Sequence, residues 1–212
     1  MTKLGRYYEE RILPVIIDRT CGTKALLSHR KQTLVGTYGT VLEIGFGSGH
    51  NLPLYPVGVE RLVVVEPSAR AIELAKDRIT RAPFPVEVVG LNGELLPLDD
   101  NSVQCVVSTF TLCTIPDVAR ALSEITRVLV PGGTLHVLEH GLGDDENVRR
   151  WQHRLDPLQQ RIAGGCHLIR HVPSMLSDAG FDVVEMSRWY EGRPRSFMAM
   201  TRALVTPRVG LA

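Results

Sequence analysis

Five short apolar runs, spaced so that helical patterns fit between them, dominate the middle of the chain and constrain its fold more than any other feature. The runs are Val41–Ile44, Arg61–Glu66, Val86–Val89, Val103–Ser108 and Thr134–Glu139. Between them, Ala69–Ile79 and Val118–Val128 carry apolar residues at helical spacing, the second stopped by Pro131, Gly132 and Gly133. Strands that are apolar on both faces and alternate with helices specify a parallel sheet covered on both sides. The pattern predicts a doubly wound α/β domain.

The two ends depart from this rhythm. Residues 1–35 read as two helices with a break at Thr20-Cys21-Gly22. Leu4, Tyr7, Tyr8, Ile12, Val15 and Ile16 recur at helical spacing, and Pro14 predicts a kink. Residues 141–170 read as a polar insert, helical over Asp144–Ala163, followed by a helix near Val172–Ala179. Two strand-like stretches, Phe181–Ser187 and Phe197–Ala203, close the chain. The segment Glu191–Arg195 between them is too short for a helical crossover, so one of the pair must run antiparallel to the rest. The expectation is one domain over residues 1–212 with a seven-stranded, mostly parallel sheet. Residues 1–35 form a helical lid, 36–140 a cofactor-binding core, 141–170 a helical insert, and 171–212 a C-terminal helix and hairpin.

Lys and Arg number 24 against 23 acidic residues, a formal charge of +1, which gives no electrostatic footprint for nucleic acid or an anionic membrane. The four cysteines, Cys21, Cys105, Cys113 and Cys166, never come closer than eight positions apart. No CxxC pair exists, and His50, His136 and His140 add no zinc spacing, so no metal is expected. Reduced thiols in a cytoplasmic protein are the simplest reading. The N-terminal stretch has no apolar core of a signal peptide, and the run Ile12–Ile17 is far short of the ~20 residues of a membrane span.

The first strand runs into Gly45-Phe46-Gly47-Ser48-Gly49. Glycines there turn the chain tightly and let a ligand approach bare backbone ahead of a helix N-terminus. A nucleotide-type ligand belongs at this position of a doubly wound sheet. The dinucleotide pattern GxGxxG fails, because His50 stands where its third glycine would fall. The second strand ends in Glu66-Pro67, twenty-one residues beyond Gly45. A carboxylate at that tip accepts hydrogen bonds from both ribose hydroxyls. Loop and carboxylate together predict a nucleoside-bearing cofactor.

These segments resemble the class I S-adenosylmethionine-dependent methyltransferases. Val41–Gly49 resembles their first motif and Val63–Pro67 their ribose-binding strand tip. Asn92–Asp100 resembles their third-strand loop, Ser102–Thr109 their fourth strand, and Ile125–Gly133 the approach to their fifth. The resemblance covers about residues 40–140 and implies S-adenosyl-L-methionine as cofactor. It implies that Glu43, Gly45, Phe46, Gly47, Gly49 and Asn51 hold it, with Glu66 and Pro67 at the ribose, and Asn92, Gly93 and Glu94 at the adenine. Thr109 would offer its backbone carbonyl to the methionine amine. Glu43, a strand glutamate that needs a partner once buried, would brace the loop and reach the methionine ammonium through water.

A narrower resemblance, carried by Ser108–Thr114, Leu138–Gly141 and Gly164–Arg170, is to a bacterial small-molecule branch similar to the membrane-associated thiol methyltransferases of mammals. It implies a thiol as methyl acceptor, with oxygen or nitrogen as the alternatives; the absence of a basic stripe, peptide groove or nucleic-acid loop points to a small, largely apolar molecule, and the activated sulfonium methyl to direct in-line displacement. His140 after the fifth strand and His167 in the insert are the candidate catalytic residues, each equally readable as structural. Arg170 either binds an acidic group of the acceptor or pins the insert. Cys113 and Cys166 read as small core residues before nucleophiles, and Trp151 and Tyr190 as packing aromatics or pocket walls. An NAD-dependent oxidoreductase and a non-catalytic cofactor-binding protein remain as alternatives.

Overall fold

The computed structural model describes residues 3–90 and 93–208. The five central runs form β1 (Gly39–Ile44), β2 (Val59–Val65), β3 (Val86–Gly90), β4 (Val103–Thr109) and β5 (Leu129–His140). These five are parallel neighbours in the order β3-β2-β1-β4-β5. Val41, Leu42, Leu62, Val64, Val106 and Val107 are wholly buried, as central strands covered on both faces must be. On one face pack Ala121, Leu122, Ile125 and Val128 of α5 (Val118–Val128). On the other lie Leu34, Phe46, Leu52 and Ala75, the last from α4 (Ala69–Thr80). Both helices start at side-chain caps: Ser68 Oγ accepts from the Ala71 N–H at 3.2 Å, and Asp117 from the Arg120 N–H at 3.0 Å.

β5 begins five residues before the expected Thr134. Leu129 already pairs with Val103, and the intervening Pro131-Gly132 is absorbed where the register shifts before Cys105 pairs with Thr134. At the C-terminal side, β6 (Phe181–Tyr190) and β7 (Ala199–Pro207) form the hairpin. β7 enters the sheet between β5 and β6, antiparallel to both, so it is the strand that opposes the rest. The completed sheet has seven strands.

At the N-terminal side, α1 (Lys3–Tyr7) passes through one wide π turn over Tyr8–Ile12 into α2 (Leu13–Cys21). Pro14 sits in the first turn of α2, and the distortion falls upstream of it, where its missing N–H releases a carbonyl. The chain breaks at Gly22 and continues as α3 (Lys24–Thr33). The insert forms α6 (Glu146–Ile162), capped by Asp145, and α7 (Val172–Asp178) follows. Among the described residues no helix is long and apolar enough to cross a membrane. The sheet order reverses between β1 and β4, and the crevice at their carboxyl ends is where ligands of open α/β sheets bind.

Candidate active site

β1 delivers Glu43 and Gly45 to that crevice, and β4, in register with it, delivers Ser108 and Thr109. Gly45 has φ +73°, and a Cβ there would stand 1.9 Å from Thr111 Oγ1, so the strand-to-loop passage requires glycine. Gly47 differs: its φ is +57°, but a Cβ would meet nothing within 4 Å. Its bare backbone faces open space beside the Glu66 carboxylate. Glu66 Oε2 accepts from the Gly47 N–H at 2.7 Å, and Oε1 from the Ser68 N–H at 2.8 Å. Burial raises the Glu66 carboxyl above its ordinary range, against the lowering effect of those two N–H groups.

Behind the loop lies a buried polar network. Asn51 Nδ2 donates to Glu43 Oε1 at 2.8 Å and to Thr109 Oγ1 at 3.1 Å. Tyr55 donates to Glu43 Oε2 at 2.7 Å. Arg30, on α3, donates through Nη1 to Asn51 Oδ1 at 3.0 Å and to Thr109 Oγ1 at 2.6 Å. Glu43 is pushed up to about 7 by burial, although Tyr55, Arg30 and Asn51 pull it down. The N-terminal segment also crosses the loop itself: His50 Nε2 lies 2.8 Å from the Asp18 carbonyl, and Arg78 joins Asp18 to the Ser48 carbonyl.

The other expected cofactor residues divide. Phe46 is buried in the core on the α4 side of the sheet. Gly49, at φ +78°, lies close to the Phe46 ring. Pro67 is exposed next to Glu66. Gly93 closely approaches Ile44, and Glu94 accepts from the Asp117 N–H at the start of α5. Asn92 lies outside the described residues.

A second polar cluster stands at the tip of β5. Phe110, a bulky residue at φ +59°, turns the chain sharply after β4. The N–H groups of Thr111 and Leu112 then reach Glu139 Oε1 at 2.7 and 2.8 Å, while Glu139 Oε2 is buried without a partner. His140 Nε2 lies 2.8 Å from Cys166 Sγ, which is 3.6 Å from Cys113 Sγ. Burial opposes a charged His140 ring, but Cys166 and Glu139 outweigh it and raise the imidazole. The Cys166 thiol is lowered to about 5, first by its hydrogen bond to Cys113 and then by His140, against burial.

The two candidate histidines therefore part company. His167 does not join His140: its Nδ1 is 3.5 Å from Asp156 Oδ2 on α6, and its N–H donates to the Cys113 carbonyl. Arg170 is spent on the carbonyls of Leu112 and Ile115, pinning insert to loop. Trp151 is mostly exposed on an outer groove with Val148, Leu155 and Phe197, under the Arg154 guanidinium. The Tyr190 hydroxyl accepts from the Asp145 N–H. Arg30, Tyr55 and Glu139 escape sequence reasoning. A lone arginine in an amphipathic helix reads as solvated, and only the packing of α3 buries it to 6% exposure.

The bare backbone at Gly47, the strand-tip carboxylate beside it and the buried carboxylate Glu43 fit S-adenosylmethionine, which carries a ribose and a cationic methionine end. Residues 42–137 match the family described as Methyltransferase domain. The chain is 28% identical over 186 residues to human thiol S-methyltransferase TMT1A, covering 85% of this chain and 76% of that protein. It is 32% identical over 161 residues to human thiol S-methyltransferase TMT1B, covering 73% of this chain and 66% of that protein. Its fold is similar to geranyl diphosphate C-methyltransferase of Streptomyces coelicolor, solved with S-adenosyl-L-homocysteine, with a TM-score of 0.67 at 15% identity over 87% of this chain and 80% of that one. The nicotinamide alternative falls with these findings, and the failed third glycine at His50 is its sequence counterpart. The chain belongs to the class I S-adenosylmethionine-dependent methyltransferases, with S-adenosylmethionine as its cofactor.

Proposed function

We propose that the protein methylates the sulfur of a small, largely apolar thiol by direct in-line displacement, acting in the cytoplasm as a single domain. The observation that carries this reading is the His140–Cys166–Cys113 cluster, with both cysteines buried, at the carboxyl end of the sheet next to the loop that closes over Gly45. The names of the two human relatives support it.

In this reading Glu66 accepts from the ribose hydroxyls while its hydrogen bond to Gly47 keeps the loop in shape. Gly45, Phe46, Gly47 and Gly49 form the loop, with Pro67 beside the ribose and Gly93 and Glu94 toward the adenine. Glu43, Asn51 and Thr109 serve the methionine end, and Arg30 sets that network by tying α3 to it. Bound there, S-adenosylmethionine supplies a methyl group already activated on a sulfonium. The protein's task is then to hold a nucleophile about 3 Å from that methyl, and positioning alone can account for ~7–11 kcal/mol. A thiol with pKa near 8.5 is partly ionised at neutral pH and makes little demand on a base. His140 faces the acceptor, while His167 holds the insert through Asp156. Residues 1–35 and 141–170 close over the ligands. Support for that closure comes from two contacts: Tyr8 donates to the Ile162 carbonyl at 2.7 Å, and Leu13 packs near Gly164.

The experiment compares a medium-chain alkanethiol, alkanol and alkylamine as acceptors, using S-adenosylmethionine labelled in its methyl group. Turnover of the thiol above the other two by more than tenfold is expected. A preference for the alcohol or amine, or no transfer to any of the three despite cofactor binding, contradicts the reading.

A further inference from the structure

We propose that Cys113, His140 and Cys166 bind one zinc ion, with a fourth coordination position left open for the sulfur of the acceptor. The role of that position rests on the thiol reading above; the metal site itself does not.

No zinc spacing exists in the sequence because the three ligands come from three separate pieces of chain. Cys113 lies in the loop after β4, His140 ends β5, and Cys166 follows α6. The fold brings their donor atoms within 4.8 Å of one another. Tetrahedral zinc, with bonds of about 2.3 Å to sulfur and about 2.0 Å to nitrogen, holds its donors about 3.5–3.8 Å apart. The two sulfurs are at 3.6 Å already. The imidazole, now 2.8 Å from Cys166 Sγ, has to draw back from that sulfur by ~0.7 Å, and the most distant donor pair, within 4.8 Å, has to close by up to about 1 Å. Both cysteines are buried, so a cation here would be held away from bulk water.

Two features independent of the ligand distances point the same way. Glu139 Oε2, in the residue before His140 and beside Cys113, is a buried oxygen without a hydrogen-bond partner. Orphaned groups of this kind mark an ion or water that the protein's own atoms do not replace. In addition, Gln159 Nε2 donates to Cys166 Sγ at 3.7 Å, the kind of outer hydrogen bond that supports a metal thiolate. Two sulfurs and an imidazole are soft to borderline donors, which select zinc over magnesium or calcium. Three protein ligands, two Cys and one His, leave the open position of a reactive rather than a closed structural site.

The chemistry balances simply. On binding, Cys113 gives up its S–H proton and the Cys166–His140 pair gives up the one it shares, so two protons go to solvent as two sulfur–zinc bonds and one nitrogen–zinc bond form. An acceptor thiol entering the fourth position likewise gives its proton to solvent and remains as a thiolate. It then attacks the methyl carbon, the bond from that carbon to the sulfonium breaks, and S-adenosylhomocysteine leaves neutral at sulfur.

The test strips the full chain with a chelator under a non-thiol reductant and titrates it with cobalt(II). Thiolate-to-cobalt charge-transfer absorption and the strong visible bands of tetrahedral cobalt are expected, saturating at one equivalent and bleached by zinc. Cys113→Ser, Cys166→Ser and His140→Asn should each weaken zinc binding by more than the ~10–100-fold that loss of an outer partner costs. Cys105→Ser, in the core of β4, should keep the bands. Adding the alkanethiol should shift them. A rise in melting temperature with adenosylhomocysteine certifies that each variant is folded. A wild-type spectrum of weakly coloured octahedral cobalt, or bands that survive in the Cys113→Ser/Cys166→Ser double variant, would overturn the site. That result with thiol methylation intact would leave the function standing, and a bound metal without thiol methylation would do the reverse. Bands that the thiol does not move would overturn the open position.

Discussion

Glu66 and Gly47 are joined by a 2.7 Å hydrogen bond from the glycine N–H to the carboxylate, so the carboxylate proposed to bind the ribose also holds the glycine loop. Replacing Glu66 by Ala should therefore act twice. Adenosylhomocysteine binding, read by calorimetry, should weaken by ~2–4 kcal/mol as two charge-assisted bonds disappear. Amide exchange at Gly47 should accelerate even without ligand. Unchanged affinity would remove Glu66 from the site, and unchanged exchange would remove it from the loop.

Gly45 and Gly47 should separate stability from binding. A methyl at Gly45 collides with Thr111, so Gly45→Ala should lower unfolding free energy by at least ~1–3 kcal/mol. At Gly47 a methyl meets only open space, and Gly47→Ala should cost only the ~1–2 kcal/mol of a left-handed residue. It should nonetheless weaken ligand binding more than tenfold. Chemical denaturation paired with calorimetry distinguishes the two; equal behaviour in both measurements contradicts the cradle.

Much of this arrangement is legible in the sequence, for identifiable reasons. Strands buried on both faces must be continuously apolar, so β1 to β5 and their order of chemistry show in one dimension. Gly45, Gly47 and Glu66 show because backbone conformation and strand-tip charge are local demands. The polar network does not show. Arg30 and Thr109 are 79 positions apart, and their contact depends on how α3 folds back over the sheet. The same holds for Cys113, His140 and Cys166, whose convergence depends on the turn at Phe110 and the pinning of the insert by Arg170. β5 starts early because pairing of Leu129 with Val103 overrides the turn signal of Pro131-Gly132.

Glu43 gives the protein a specific pH dependence. It faces Arg30 from α3, Glu66 just after β2, and Tyr55 and Asn51 from the segment after the loop, and its carboxyl stands near 7 against an ordinary 4.5. A carboxyl raised in the folded state binds its proton more tightly folded than unfolded. Its contribution to stability is thus full below pH about 4.5 and is lost as pH rises to about 7, on the order of 3 kcal/mol in all. Urea unfolding at pH about 5 and about 8 should show wild type losing stability relative to Glu43→Gln. Parallel profiles would contradict the assignment.

Arg30 should couple the N-terminal helices to the cofactor site. Arg30→Ala leaves Asn51 and Thr109 short of a buried partner and should cost ~1–3 kcal/mol of stability. In the wild-type protein, adenosylhomocysteine should slow hydrogen exchange in α2, α3 and the insert. Protection indifferent to ligand would contradict the closing role of these segments.

The most direct test of the central claim offers both nucleophiles in one molecule. An alkyl chain with a thiol at one end and a hydroxyl at the other is incubated with the protein and methyl-labelled S-adenosylmethionine, and the product is read by nuclear magnetic resonance. A sulfide, with the label on sulfur and the hydroxyl untouched, is the predicted product. A methyl ether, with the thiol left free, would contradict the claim.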